Sequence, residues 1–372
     1  MLLMYYRKGW NRPPDFKVAL DEIEKPVFIS VIVPARNEEH NIGILINSLL
    51  AQDYPVSHFE LIVVDDHSTD DTARIVKNYH NERIRLVQLT DAVSKSGAFK
   101  KLALESGIAI AKGELIVTTD ADCVLPASWL SAIASFYCRY HPKMIVMPVL
   151  IRNNASLLGV FQTLDFLSLQ GITGAAIQQD FHGMCNGANL AYEKKVFEEV
   201  GGFRDIDHIA SGDDMLLLQK IKRTYNNGIF YLKSKNVIVE TAAENSLSSF
   251  IHQRLRWGGK ADKYIDKSLL PVLLLVYLLN LFLLLGGVWS CFHFNEPACE
   301  MSCPSAGFIY ITMVSLKTIA ELFFLMPVSK FFGTGKLLWI FPLLQPFHIV
   351  YTVLIGALSK MLPYTWKGRK SK

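Results

Sequence analysis

The 372-residue sequence has no G-x-G-x-x-G after its first apolar run and no G-x-x-x-x-G-K-[ST] anywhere. A dinucleotide fingerprint and a P-loop are thereby excluded. Internal repeats, low-complexity tracts and a collagen-like period are also missing. The net charge of +4 is too mild for a nucleic-acid footprint, so no nucleic-acid partner is expected. Cysteines are few, six in all, and Cys123, Cys138 and Cys185 are scattered as in a reducing compartment. Apolar residues, by contrast, are abundant at 51%, with the excess lying after Ser268. Basic residues crowd beside apolar segments, at Arg7, Lys8 and Arg12, from Arg254 to Lys267 and from Lys360 to Lys372. That pattern suits an anionic membrane surface.

The stretch from Glu114 to Cys123 organises the first half of the chain. Its apolar and β-branched run reads as a buried strand ending in Asp120-Ala121-Asp122. Two carboxylates spaced D-x-D can offer oxygen ligands to a hard cation that carries substrate phosphates. An Asp-rich turn after a strand is the plain alternative. Three further strands precede it: Val27 to Val33, Phe59 to Val64 and Ile84 to Leu89. Helices are expected between them, from about Ile42, from a Ser68-to-Asp71 capping box, and over Lys95 to Ala111. Strands alternating with helices predict βαβ units and a mostly parallel sheet. Asn37-Glu38, Asp65-Asp66 and Asp120 to Asp122 would then share the carboxyl edge, where such sheets bind ligands. Lys100 or Lys101 is available to offset phosphate charge; a solvated helix face is the plain alternative for both.

Two later segments add polar groups. Asn186-Gly187 is a small-residue turn before an apolar run. Asp213-Asp214 opens a helix, either as half of a capping box with Ser211 or as a general base near a phosphate site. On the helix holding Gln253-Arg254-Leu255-Arg256-Trp257, offsets of three and four put Gln253, Arg256 and Trp257 on one face. An amide, a guanidinium and an indole suit a diphosphate with a sugar ring beside it. An amphipathic membrane-surface helix fits the same residues.

In this order the motifs resemble those of the membrane-bound members of glycosyltransferase family 2, related to cellulose, chitin and hyaluronan synthases and ceramide glucosyltransferase. The resemblance runs from Val27 to Trp257. It implies a GT-A fold: a Rossmann-like, mostly parallel α/β domain followed by C-terminal transmembrane helices. It also implies that Pro34, Ala35, Arg36, Asn37, Glu38, Asp65, Asp66, Lys101, Asp120, Gln253 and Arg256 hold a nucleotide-sugar, expected to be a UDP-sugar. Asp120 and Asp122 would bind Mg2+ or Mn2+. Asp214, with Asp213 beside it, would be the base, in a motif that is usually Glu-Asp. Trp257, Asn186 and Gly187 would meet the acceptor, a lipid or glycan. A single displacement inverts the anomeric centre, and no second nucleophile for retention is evident. A processive polysaccharide synthase and a catalytically silent membrane scaffold are the alternative functions.

The remaining chain reads as membrane. Residues 268–292, 304–329 and 337–359 are long apolar runs. Lys317 and Glu321 lie mid-way in the second, and each would cost about 2.5–3.5 kcal/mol at mid-bilayer unless paired at i,i+4. The domains are thus 1–26 (juxtamembrane segment and linker), 27–240 (catalytic), 241–267 (interfacial), 268–362 (membrane) and 363–372 (basic tail). Met1 to Tyr6 is too short to span a bilayer; it reads as an interfacial piece or the end of a longer segment. Positive-inside bias puts the catalytic domain in the cytoplasm, at an inner membrane, and Cys299 and Cys303 outside, bridged or as free thiols. Three crossings would leave the basic tail outside as well, against that bias. The conflict is resolved if Pro342 and Pro346 bend residues 337–359 into a re-entrant hairpin, leaving the tail cytoplasmic with Tyr364 and Trp366 as anchors.

Overall fold

The structure, a computed structural model, describes residues 1–372 except 19–24, 91–97, 210–211, 260–263, 265, 297–303, 368 and 372, and except the side chains of 364–366 and 369–371. Cys299 and Cys303, the N-terminal end of the Lys95 helix, the Ser211 cap and the side chains of the Tyr364 and Trp366 anchors lie outside what is described. A first helix, α1 (Leu2–Asn11), precedes β1 (Ile29–Ala35), α2 (Ile42–Leu50), β2 (Phe59–Asp65), α3 (Thr72–Lys77) and β3 (Ile84–Gln88). Then come α4 (Phe99–Ile110), β4 (Leu115–Thr118), α5 (Trp129–Tyr140), β5 (Met144–Val146), β6 (Val149–Arg152) and α6 (Leu157–Gln178). The domain closes with β7 (Leu190–Glu193), α7 (Lys194–Glu199), α8 (Asp213–Thr224), β8 (Ile229–Tyr231), β9 (Val239–Ala242) and α9 (Leu247–Gly258).

Seven strands form one sheet in the order β3-β2-β1-β4-β7-β5-β8. β1 pairs in parallel with both β2 and β4, and β2 with β3. Only β7 runs against its neighbours β4 and β5. The sheet is therefore mostly parallel, as expected. β1, β2 and β4 are almost wholly buried because helices cover both faces, which is why they read as unbroken apolar runs. Register puts Ala35 opposite Asp65 and Ile32 opposite Thr118, so the three strand ends open on one edge.

Several local expectations change. The helix after β2 starts at Thr72, and its N-cap Asp71 makes no side-chain cap bond. Ser68 instead accepts the Asn37 N–H at 3.0 Å, while its own N–H goes to Asp65 Oδ1. Ser68 thus belongs to the turn between strands and not to a helix cap. The N-cap of α8 is Gly212, at φ 84.

The N-terminal residues form a helix docked on the domain. α1 buries Tyr6 and Trp10, both 1% exposed, against α6 and the later helix Ala306–Phe332. Trp10 meets Tyr231, Phe331 and Phe332 ring to ring. Gly9 lets the two helices close up, since a Cβ there would come within 2.6 Å of the Ala175 carbonyl. Tyr6 Oη and His182 Nε2 share a 2.7 Å hydrogen bond. Burial first, then Lys222, lowers the His182 pKa to about 4, with Asp266 acting in the opposite sense. The fold therefore holds His182 neutral, whereas the unfolded chain protonates it below about pH 6.5. Stability from this site is complete above that pH and falls by up to about 3 kcal/mol as the pH drops to 4. Wild type should be the more stable protein at pH 7 when compared with His182→Gln by thermal unfolding in detergent. At pH 4.5 that difference should shrink or vanish.

Among the described residues, three helices are long and apolar enough to cross a membrane: α10 (Leu269–Phe292), α11 (Ala306–Phe332) and α12 (Phe341–Leu358). Lys317 and Glu321 pair at 2.7 Å, and Gln345 of α12 bridges them. The cost of two mid-helix charges is relieved as the i,i+4 spacing requires. A short 3-10 turn, Gly335–Trp339, leads into α12, which is one unbroken helix despite Pro342 and Pro346. No hairpin forms there: Pro342 falls in the first turn, where no backbone donor is needed. α12 packs on α10 and also reaches the domain, with Tyr351 packed on Phe161 and Phe250 and Ser359 beside Gly258. The chain ends in a small antiparallel hairpin, β10 (Tyr364–Trp366) and β11 (Arg369–Ser371).

Candidate functional site

The carboxyl edge of the sheet opens into a cavity of about 1760 Å³. Pro34, Ala35, Arg36, Glu38, Asp66, Asp120 and Asp122 line it from the strand ends. Asn186, Gly187, Asp213 and Asp214 line it from the β7 and α8 side, and Gln253, Arg256 and Trp257 from α9. Residues far apart in the chain meet here.

Lys100, from the first turn of α4, ties the two groups together. Its Nζ donates to Asp120 Oδ1 at 2.7 Å and stands 3.4 Å from Asp213 Oδ2. Burial pulls its pKa down, but Asp120, Asp213 and Asp214 together raise it above the ordinary lysine range. The ammonium stays charged. Lys101 is turned away: it is buried and donates to the carbonyls of Ile206 and Ile209 at 2.5 and 2.8 Å. One residue is about 100° of helix rotation, so neighbouring lysines cannot share a face.

Asp122 opens to the cavity but sits deep inside it. The surrounding protein, then Asp120 and Glu38, push its carboxyl up to about 6, against smaller opposing effects of Lys367 and Thr241. Thr241, at the end of β9, donates to Asp122 Oδ2 at 3.1 Å. Asp214 Oδ2 accepts the Gly187 N–H at 3.1 Å, and Oδ1 accepts that of Met215 at 2.7 Å. A Cβ on Gly187 would lie 3.1 Å from Asp213 Oδ2 and 3.3 Å from Lys100 Nζ, a tight approach to which those side chains would have to yield.

The turn after β1 is braced from within. Arg36 Nη1 donates to the Asp66 and His67 carbonyls, and Asp66 Oδ1 lies 3.0 Å from His67 Nδ1. Asn37, at φ 52, accepts the Thr69 N–H, and Asp65 accepts from Ser68 and Gln88. Neither Asn37 nor Asp65 lines the cavity, and neither does Lys101. These three expected donor residues support the turn or the core.

α9 begins with a capping box between Ser246 and Ser249 and presents its face as the spacing requires. Gln253 Nε2 donates to Glu244 Oε1, and Trp257 packs on Phe166. Between them Arg254, 2% exposed, stacks 4.2 Å from the Trp257 ring and lies 3.0 Å from Asp165 of α6. Sequence reading passed over Arg254 and Asp165, although a lone carboxylate inside the apolar run from Phe161 to Leu169 was a visible signal. It also missed Lys367. From the C-terminal hairpin, Lys367 Nζ reaches the Arg36 carbonyl at 2.9 Å and pairs with Glu38 Oε1. Lys367 thus brings the tail to the rim of the cavity.

Residues 30–201 match the family model described as Glycosyl transferase family 2. A poly(ribitol-phosphate) beta-N-acetylglucosaminyltransferase, TarS, of Staphylococcus aureus is 36% identical over 119 residues, which is 32% of this chain and 20% of that protein. A beta-monoglucosyldiacylglycerol synthase of Nostoc is 31% identical over 245 residues, 64% of this chain and 50% of the relative. A poly-beta-1,6-N-acetyl-D-glucosamine synthase of Staphylococcus epidermidis is 25% identical, over 72% of this chain and 61% of its own length. The chain thus spans between a fifth and about three fifths of these relatives. In fold it is similar to the mannosyltransferase PcManGT from Pyrobaculum calidifontis, solved with GDP-Man and Mn2+. That likeness has a TM-score of 0.55 at 18% identity and covers 97% of this chain and 94% of that one. The α/β domain is of the GT-A type.

Proposed function

We propose, from the match of residues 30–201 to glycosyl transferase family 2, that the chain moves one sugar from a UDP-sugar onto a lipid or lipid-linked acceptor at a membrane face. The observation that carries this reading is a single cavity. It joins the carboxylates of the sheet edge, Asp214, the Gln253–Trp257 face and the apolar membrane helices. Among the relatives, one is named for glucosylating diacylglycerol and others for transferring N-acetylglucosamine, which agrees with a lipid or glycan acceptor.

The roles follow from position. Pro34 to Glu38 and Asp66 border the nucleotide. The acceptor hydroxyl gives its proton to Asp214 as its oxygen bonds to the anomeric carbon, and the bond from that carbon to the diphosphate breaks. Arg256 and Gln253 meet the departing diphosphate, Lys100 keeps Asp120 and Asp213 in place, and Trp257 with Asn186 and Gly187 borders the acceptor. One displacement inverts the anomeric centre.

The carboxylates fit a divalent cation. Among the described residues no three His, Cys, Asp or Glu side chains form a complete metal site. Asp120 and Asp122 nevertheless stand side by side, and Asp122 is disfavoured as an anion there. Two carboxylates completed by phosphate oxygens and water are the shell Mg2+ takes. Asp120 and Asp122 would hold the ion, and the chemistry supplied by bound Mg2+ or Mn2+ is neutralisation of charge on the diphosphate.

The assay that tests the reading is UDP release from a panel of UDP-sugars, with and without membrane lipid extract. Lipid-stimulated release and a product carrying one sugar support it; a ladder of sugars would favour a polymerase, and no release would support a silent scaffold.

For topology, the contact of Lys367 with Glu38 supports a tail on the catalytic side. α10 and α11 would cross, and α12 would lie against the domain. With that domain in the cytoplasm, a cysteine at Ser371 should resist an impermeant thiol reagent in intact cells and react after permeabilisation. Labelling of intact cells would mean a third crossing.

A further inference from the structure

Beyond the sheet edge, the cavity continues along apolar walls from Phe161 and Leu164 of α6 to Leu273 and Tyr277 of α10 and Leu344 of α12. A sugar polymer would leave those walls without a partner. Between the apolar walls and Trp257 lies a narrow polar belt. Arg254 Nη2 stands 3.0 Å from Asp165 Oδ2, yet none of the Arg254 N–H groups makes an aligned hydrogen bond among the described residues. His348 Nδ1 and Gln253 Oε1, which also line the cavity, lack one as well. Buried donors and acceptors of this kind are costly unless a ligand or water meets them. Apolar walls under an unsatisfied polar belt describe the complement of an amphiphile.

Resting on the transfer reading above, we infer that this part of the cavity holds the chain of an uncharged membrane lipid whose free hydroxyl is the acceptor. The hydroxyl lies toward Asp214, the oxygens of the head region meet Arg254 and His348, and the chain runs between α6, α10 and α12. Charge argues for a neutral head. Arg254 is offset by Asp165, and Lys317 by Glu321, so the belt carries balanced pairs. An acceptor phosphate beside Asp214 would instead be repelled by that carboxylate. It would also need no base, since it is already deprotonated. A hydroxyl needs one and has Asp214. The atoms balance: the lipid oxygen gains the glycosyl carbon, Asp214 gains the proton, and the nucleoside diphosphate leaves with the bonding pair.

Leu273 is the position to test, because it lines the cavity while remaining 41% exposed, so a larger side chain does not disturb a packed core. The full-length protein in detergent micelles is given radiolabelled UDP-sugars. Its acceptors are the neutral fraction of a membrane lipid extract, the phosphate-bearing fraction, or soluble oligosaccharides. Label is expected in the neutral lipids. Leu273→Trp should raise the KM for that fraction about tenfold, as one misfitting group in an apolar pocket does. The KM for the UDP-sugar should move less than twofold. Label in phosphate-bearing lipids or oligosaccharides, label in no acceptor despite UDP release, or an unchanged lipid KM in Leu273→Trp would each overturn the inference. Absence of UDP release from every donor would instead overturn the transfer reading on which it rests.

Discussion

Asp214→Asn is expected to lower sugar transfer by about 10²–10⁴-fold, the usual contribution of a positioned acid or base. The side chain is held at both oxygens by backbone N–H groups of Gly187 and Met215, and asparagine retains one of those acceptors. The loss of a single neutral-to-charged bond costs about 1.5–3 kcal/mol of local stability and does not empty the site. UDP binding, measured by calorimetry, should therefore stay close to wild type while turnover collapses. Nearly full turnover in Asp214→Asn would reassign the base, with Asp213, 3.4 Å from Lys100, as the next residue to test.

The second large effect is expected at Asp122. Asp122→Ala should abolish metal-stimulated transfer, and EDTA should do the same to the wild type, with Mn2+ or Mg2+ restoring it. The variant should fold. Asp122 gives up only the Thr241 hydroxyl at 3.1 Å and a weak contact with the Cys123 thiol at 3.8 Å. It also relieves a carboxylate whose pKa its surroundings have raised to about 6, so stability should hold or rise. Metal titration followed by activity and by thermal shift separates the two roles. Activity in EDTA at the wild-type level would remove the metal assignment from Asp120 and Asp122.

Much of this site was legible because strand ends in a parallel sheet are legible. Asp66, Asp120 and Asp122 follow unbroken apolar runs, and register alone brings them to one edge. The α9 face was equally readable, since offsets of three and four fix which side chains share a side. What failed depended on phase or on distance. Lys100 and Lys101 differ by one residue, and without the start of α4 the pattern does not say which turns inward. Asn37 and Asp65 have the chemistry of a ligand site, but their hydrogen bonds go to Thr69, Ser68 and Gln88. Lys367 lies 331 residues from Arg36 in the chain, and no local rule joins them. Met1 to Tyr6 read as too short to span a bilayer, but a sequence shows length, not docking; Trp10 and Tyr6 owe their burial to α6 and α11. Pro346 looked like a breaker, yet α12 continues through it, packed along α9 and α10.

The most direct test of the central claim is the anomeric configuration of the transferred sugar, read by proton NMR on the isolated glycolipid. A single displacement assisted by Asp214 gives a configuration opposite to that of the sugar in its UDP donor. Retention of the donor configuration would contradict the account.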